Sequence, residues 1–258
     1  MEKWLDKYEN TNNILANGRG VTPKEFALQY IQSPKYKERL QSSGYENVED
    51  EILQRLENVN KTKTYTQYGA PSTSEKLNFE KNKIPYTPGG SSFLPIQEAV
   101  VLDLKQAEDL KIDPRFINAH EFGHAETNRP NVKTTTAYNE ETGIRRSRLN
   151  EQDNSDIIKR LGENANPVYK KVPDEIKADV NALRYELYDK GIYNAGYEDV
   201  SPEQLKKLND SYTKNRLLKN YSEEDLIWIM NNIAMNNKLQ KTNEFSNFTN
   251  DNWLEKYS

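Results

Sequence analysis

Both histidines of this 258-residue chain fall in one pentapeptide, His120-Glu121-Phe122-Gly123-His124, and the chain has no cysteine. On an α-helix, positions i and i+4 lie one turn apart on the same face, so the two imidazoles can act together if this stretch is helical. The flanks predict that helix. Asp113 is placed as its N-cap with Pro114 at the first helical position, and Arg129-Pro130 closes it. Phe116, His120 and His124 then form one stripe, with Ala119 and Gly123 beside it. Gly123 costs about 1 kcal/mol of helix propensity relative to alanine, which a close neighbour or a metal loop would explain.

Two histidines four apart around a glutamate form the HExxH pattern, in which both imidazoles reach one Zn2+ and the glutamate holds a water without ligating the metal. The alternative is a helix carrying two incidental histidines. A catalytic zinc takes three protein ligands and keeps one open position. With no third histidine or any cysteine, the remaining ligand must be a carboxylate. Glu175 is the best candidate, 51 residues past His124 on a second strong helix from Pro173 to Lys190, which Gly191 ends. Asp179, one turn further along that face, is placed to accept a hydrogen bond from the non-ligating nitrogen of a zinc histidine and fix its tautomer. The competing reading of Glu175 is an ordinary charged helix face.

HEFGHA followed by a helix bearing ExxxD resembles the gluzincin branch of the HExxH metallopeptidases, the zincins. The resemblance covers roughly residues 90 to 190. It implies that His120, His124 and Glu175 bind zinc, that Glu121 is the general base, and that the reaction is hydrolysis of a peptide bond by a metal-activated water. The spacing between the two helices is longer than in thermolysin-like members, so Glu163, Asp174 and Glu186 stand as alternative third ligands. Zincins usually add a Tyr or His to stabilise the oxyanion. Here it would have to be a tyrosine, and Tyr138, Tyr169 and Tyr185 are candidates, each with packing as the competing role. The strand Ala99 to Leu104 is expected to offer an edge to an extended substrate.

Around this core the chain reads as α+β and mostly helical. Residues 1–60 form a helical lead-in, with a capping box at Thr22-Pro23-Lys24-Glu25, a short helix after Ser33-Pro34 that Gly44 can end, and helical spacing of Val48, Ile52, Leu53 and Leu56. Residues 61–195 form the zincin-like unit, in which a small sheet of two to four strands from residues 61 to 104 packs on the HExxH helix. Residues 131–153 read as a polar excursion and 155–162 as a short helix. Residues 196–258 form a helical C-terminal segment, with helix starts at Ser201-Pro202-Glu203-Gln204 and Ser222-Glu223-Glu224-Asp225. The second of these carries Leu226, Ile227, Ile229, Met230, Ile233 and Met235.

Composition narrows the function classes. A net charge of −4 with acidic and basic residues interleaved argues against nucleic-acid binding. No apolar run approaches the roughly 18 residues of a membrane span, and the N-terminal MEKWLDKYENTNN lacks the apolar region of a secretory signal. At 34% hydrophobic residues and a mean hydropathy of −1.00, the chain is more polar than usual for a globular domain, and it carries 16 tyrosines.

Two segments echo each other: Trp4-Leu5-Asp6-Lys7-Tyr8 and Trp253-Leu254-Glu255-Lys256-Tyr257. They are either two similar amphipathic ends or a pair of docking segments for protein partners. With the Asn/Lys/Tyr-rich composition, they resemble virion proteins of tailed phages that infect Bacteroidetes, including the crAss-like group. That resemblance implies a place in the virion or the infected host's cytoplasm. It also gives the alternative function: a structural or assembly protein of a phage head or tail bearing a zincin-like domain, active or inactive.

Overall fold

The computed structural model describes residues 20–42, 45, 47–128, 137–139, 144–146 and 173–232. Trp4 to Tyr8, Trp253 to Tyr257, Gly44, Arg129-Pro130, the 155–162 helix, Glu163, Tyr169, Ile233 and Met235 lie outside these residues, as do the side chains of Tyr138 and Asp174.

The fold is α+β with a small mixed sheet. Three helices open it: α1 (Pro23–Ile31), α2 (Pro34–Ser42) and α3 (Val48–Lys61). The expected capping box forms at Thr22 and Glu25, each side chain bonding the other's backbone N–H. Next come β1 (Lys63–Gln67), α4 (Thr73–Lys81), β2 (Ser92–Leu94), β3 (Ala99–Asp103) and α5 (Leu104–Leu110). Helix α4 falls in the stretch expected to form strands, and α5 follows directly on the last of them. Ser72 and Glu75 form a second capping box that starts α4 inside the Thr/Ser/Tyr-rich stretch. Asp103 ends β3 by turning its carboxylate onto the backbone N–H groups of Lys105 and Gln106, so the chain coils at Leu104.

The sheet order is β1-β3-β2, with β1 parallel and β2 antiparallel to β3. This corrects the expectation for Ala99 to Leu104. The strand is central and fully buried, so both of its edges are taken, and β1 and β2 form the borders. Asp103 also accepts the backbone N–H groups of Gly69 (2.8 Å) and Gly90 (2.9 Å), two glycines with positive φ. One buried carboxylate therefore joins the loops after β1 and before β2 to the end of β3.

The predicted HExxH helix follows as α6 (Pro114–Glu126), with Asp113 as N-cap. A short hairpin, β4 (Ala137–Asn139) against β5 (Ile144–Arg146), precedes α7 (Pro173–Asp189), and α8 (Pro202–Lys206), α9 (Tyr212–Leu218) and α10 (Glu223–Asn231) complete the described chain. Sequence reading missed α9. Helix α7 is buried on nearly every side from Ile176 to Leu187, which makes it the axis of the core. Its end is the expected one: Gly191, at φ 68°, turns the chain so that Ile192 N–H bonds Leu187 C=O. One hydrophobic cluster draws on residues from Ala27 to Met230, including Phe122 of α6 and Ile176, Val180, Leu183 and Leu187 of α7. No helix among the described residues is long and apolar enough to cross a membrane.

Candidate metal centre

Helices α6 and α7 approach closely because Gly123 has no side chain. A β-carbon there would stand 2.8 Å from the Cα of Ala178 and 3.2 Å from the Cβ of Asn181. This close neighbour explains a glycine in mid-helix. Asn181 completes the seam by donating its side-chain N–H to the Ala119 carbonyl at 2.6 Å. Ala119 precedes His120, so the register of α7 is fixed against the start of the HExxH turn.

With that register set, Glu175 meets both histidines. Its carboxylate lies 3.4 Å from His120 Nε2 and 3.5 Å from His124 Nε2, and the two Nε2 atoms are 3.3 Å apart. One ligand atom from each of the three residues falls within a sphere of 4.8 Å mutual separation. Tetrahedral zinc with arms of about 2.0–2.1 Å has edges of about 3.3–3.4 Å, which is the spacing between the imidazole nitrogens. All three side chains are half-buried.

The histidines are prepared for such a role in different ways. Asp179 Oδ1 lies 2.8 Å from His120 Nδ1 and accepts its N–H. That puts a proton on Nδ1 and turns Nε2 toward Glu175 and His124. Burial, reinforced by the neighbouring His120, pushes the His124 imidazole down to about 4, so it is neutral and ready to ligate.

Glu121 is buried one residue along, and burial raises its carboxyl above the usual range while the nearby His120 opposes the shift. The backbone of Phe93 on β2 lies beside its carboxylate and also opposes the shift. This contact ties that border strand to the HExxH helix, and nothing in the sequence signalled it. The structure therefore brings His120, Glu121, His124, Glu175 and Asp179 together.

It separates the other candidates. Glu186 lies eleven residues along α7 from Glu175, roughly 16 Å of helix away. Its buried carboxylate accepts from Ser211 Oγ at 2.6 Å and pairs with Lys190 at 3.1 Å, so it is not a ligand to this cluster. Tyr185 is a packing residue. Its hydroxyl donates to the Val21 carbonyl at 2.9 Å, and its ring meets Phe26 and Phe116 edge-on.

The last member was not anticipated. Arg216, from α9, pairs with the same Oδ1 of Asp179 that holds His120, and its guanidinium lies 5.7 Å from the Tyr212 ring centre.

The far end of α6 is anchored just as firmly. Glu126 accepts from Tyr36 Oη and from Arg55 Nη1 (3.1 Å), and Arg55 also pairs with Glu51. Asn58 donates to the carbonyls of Glu126 and Asn128. The HExxH turn is thus clamped on both sides.

Comparison with family models, with curated proteins and with solved structures finds no match to the chain.

Proposed function

We propose that this protein is a zinc-dependent metallopeptidase of the zincin type. The observation that carries the reading is the convergence of His120 Nε2, His124 Nε2 and the Glu175 carboxylate, three donors from two helices locked in register. Two imidazoles and one carboxylate are a donor set that suits zinc and leaves a coordination position open. Bound zinc would supply Lewis acidity and a water that ionises near neutral pH.

The chain's own residues account for the rest. His120, His124 and Glu175 would hold the ion, and Asp179 would keep His120 in the ligating orientation. Glu121 sits beside them and outside the ligand set, with its carboxyl raised by burial. It accepts the proton of the attacking water and delivers it to the leaving amine nitrogen. An extended peptide would lie beside β2, the border strand whose Phe93 backbone lies near Glu121.

The test pairs metal analysis with a conservative variant. Purified protein is expected to carry or take up one zinc per chain, and Glu121→Gln is expected to keep that zinc while losing about 10²- to 10⁴-fold of peptide hydrolysis. A protein that takes up no zinc, or a Glu121→Gln variant as active as wild type, overturns the reading.

A further inference from the structure

Arg216 stands 37 residues beyond Asp179 on α9, a helix outside the stretch that carries the HExxH motif and the third ligand. Three observations set it apart. It pairs with Asp179 through the oxygen that also accepts the His120 Nδ1–H, so one atom receives both donors. It is only about a third exposed, at 31% for the side chain, while Asp179 is buried at 8%. Its guanidinium is also braced against the Tyr212 ring on its own helix.

An Asp carboxylate can rotate about its last bond, and a single hydrogen bond to an imidazole does not fix that rotation. A second, charge-assisted donor on the same oxygen does. It also offsets the charge of a buried carboxylate.

We infer that Arg216 is a positioning residue of the metal centre: by holding Asp179 Oδ1 against His120 Nδ1–H, it fixes the His120 ring with Nε2 aimed at the cluster. The centre is then built by three helices, with α9 acting through Asp179. This inference rests on the proposed zinc site for its effect on affinity, but the hydrogen bond it holds exists without the ion.

Both levels can be read on full-length protein. The chain has only two histidines, so 15N NMR of the imidazoles resolves each one in chelator-treated protein. Zinc affinity is measured separately by competition with a chromogenic chelator. Wild type is expected to show His120 as the Nδ1–H tautomer. Arg216→Met is expected to show a mixture of tautomers and about tenfold weaker zinc binding, in line with losses seen on removing outer partners of metal ligands. Arg216→Lys, which restores a cation, should recover most of both. Arg216→Gln serves as a second neutral variant should the methionine disturb folding, judged by the backbone amide spectrum.

An unchanged His120 tautomer in the neutral variants, or zinc binding as tight as or tighter than wild type, overturns the inference. Absence of zinc binding in wild type together with a tautomer shift in Arg216→Met would sink the zinc reading and leave the positioning role standing.

Discussion

The missing β-carbon of Gly123 and the Cα of Ala178 define the closest approach of the two helices that carry the candidate ligands, at 2.8 Å for a carbon built on the glycine. Gly123→Ala would gain about 1 kcal/mol of helix propensity. It would also force apart a seam in which the neighbour is backbone, and overpacking of that kind costs about 1–3 kcal/mol. The expected result is a net loss of stability in urea denaturation. A larger proportional loss of zinc affinity should accompany it, because Glu175 moves with α7.

Glu175 is half-buried and its carboxylate faces both imidazoles. Glu175→Ala should weaken zinc binding by about 100-fold or more, since two imidazoles alone make a poor zinc site. Equilibrium dialysis against zinc measures the loss.

The pair Arg55–Glu126 is expected to behave as a buried ion pair, both side chains being under a tenth exposed. Arg55→Met leaves the Glu126 carboxylate with Tyr36 but no cation, a loss of about 3–5 kcal/mol. Combining it with Glu126→Gln should cost clearly less than the sum of the two single changes. A double-mutant cycle by urea denaturation gives the coupling directly.

Alkaline stability follows from the tyrosines. Burial raises the phenols of Tyr30, Tyr36 and Tyr185, and pushes Tyr221 up to about 12. A group whose folded pKa is raised lends its full stabilisation below its unfolded value, near 10, and loses it as pH climbs through the folded value. Stability should hold to about pH 10 and then fall steeply. Absorbance of tyrosinate should rise in two phases, with the buried set ionising only as far-UV circular dichroism is lost.

Much of this centre was legible because helix signals are local. Asp113 and Pro114 start α6, Gly191 ends α7, and the i, i+4 spacings of His120 with His124 and of Glu175 with Asp179 fix which side chains share a face. Gly123 even signalled a close neighbour without naming Ala178. What was hidden depended on tertiary pairing. Glu175 and Glu186 are equivalent as charges on one helix, and only the Asn181 and Gly123 seam shows which one reaches the histidines. Arg216 gave no signal, lying on a seven-residue helix among other charged residues. In the strand-rich stretch, the capping box of Ser72 and Glu75 was outweighed by the β-forming residues around it. The central place of Ala99 to Asp103 depended on two partners whose order in the sheet is not written in sequence.

The clamps on α6 and α7 bear on how the protein would handle its ion. Side-chain packing, the Asn181 bond and the buried Arg55–Glu126 pair hold the donors in place, so their arrangement belongs to the scaffold and is preorganised. A zinc finger collapses when its metal leaves, because the ion is its core. Here chelation should leave an intact, refillable receptacle, and the free energy of binding would go into gripping the ion instead of into folding the chain.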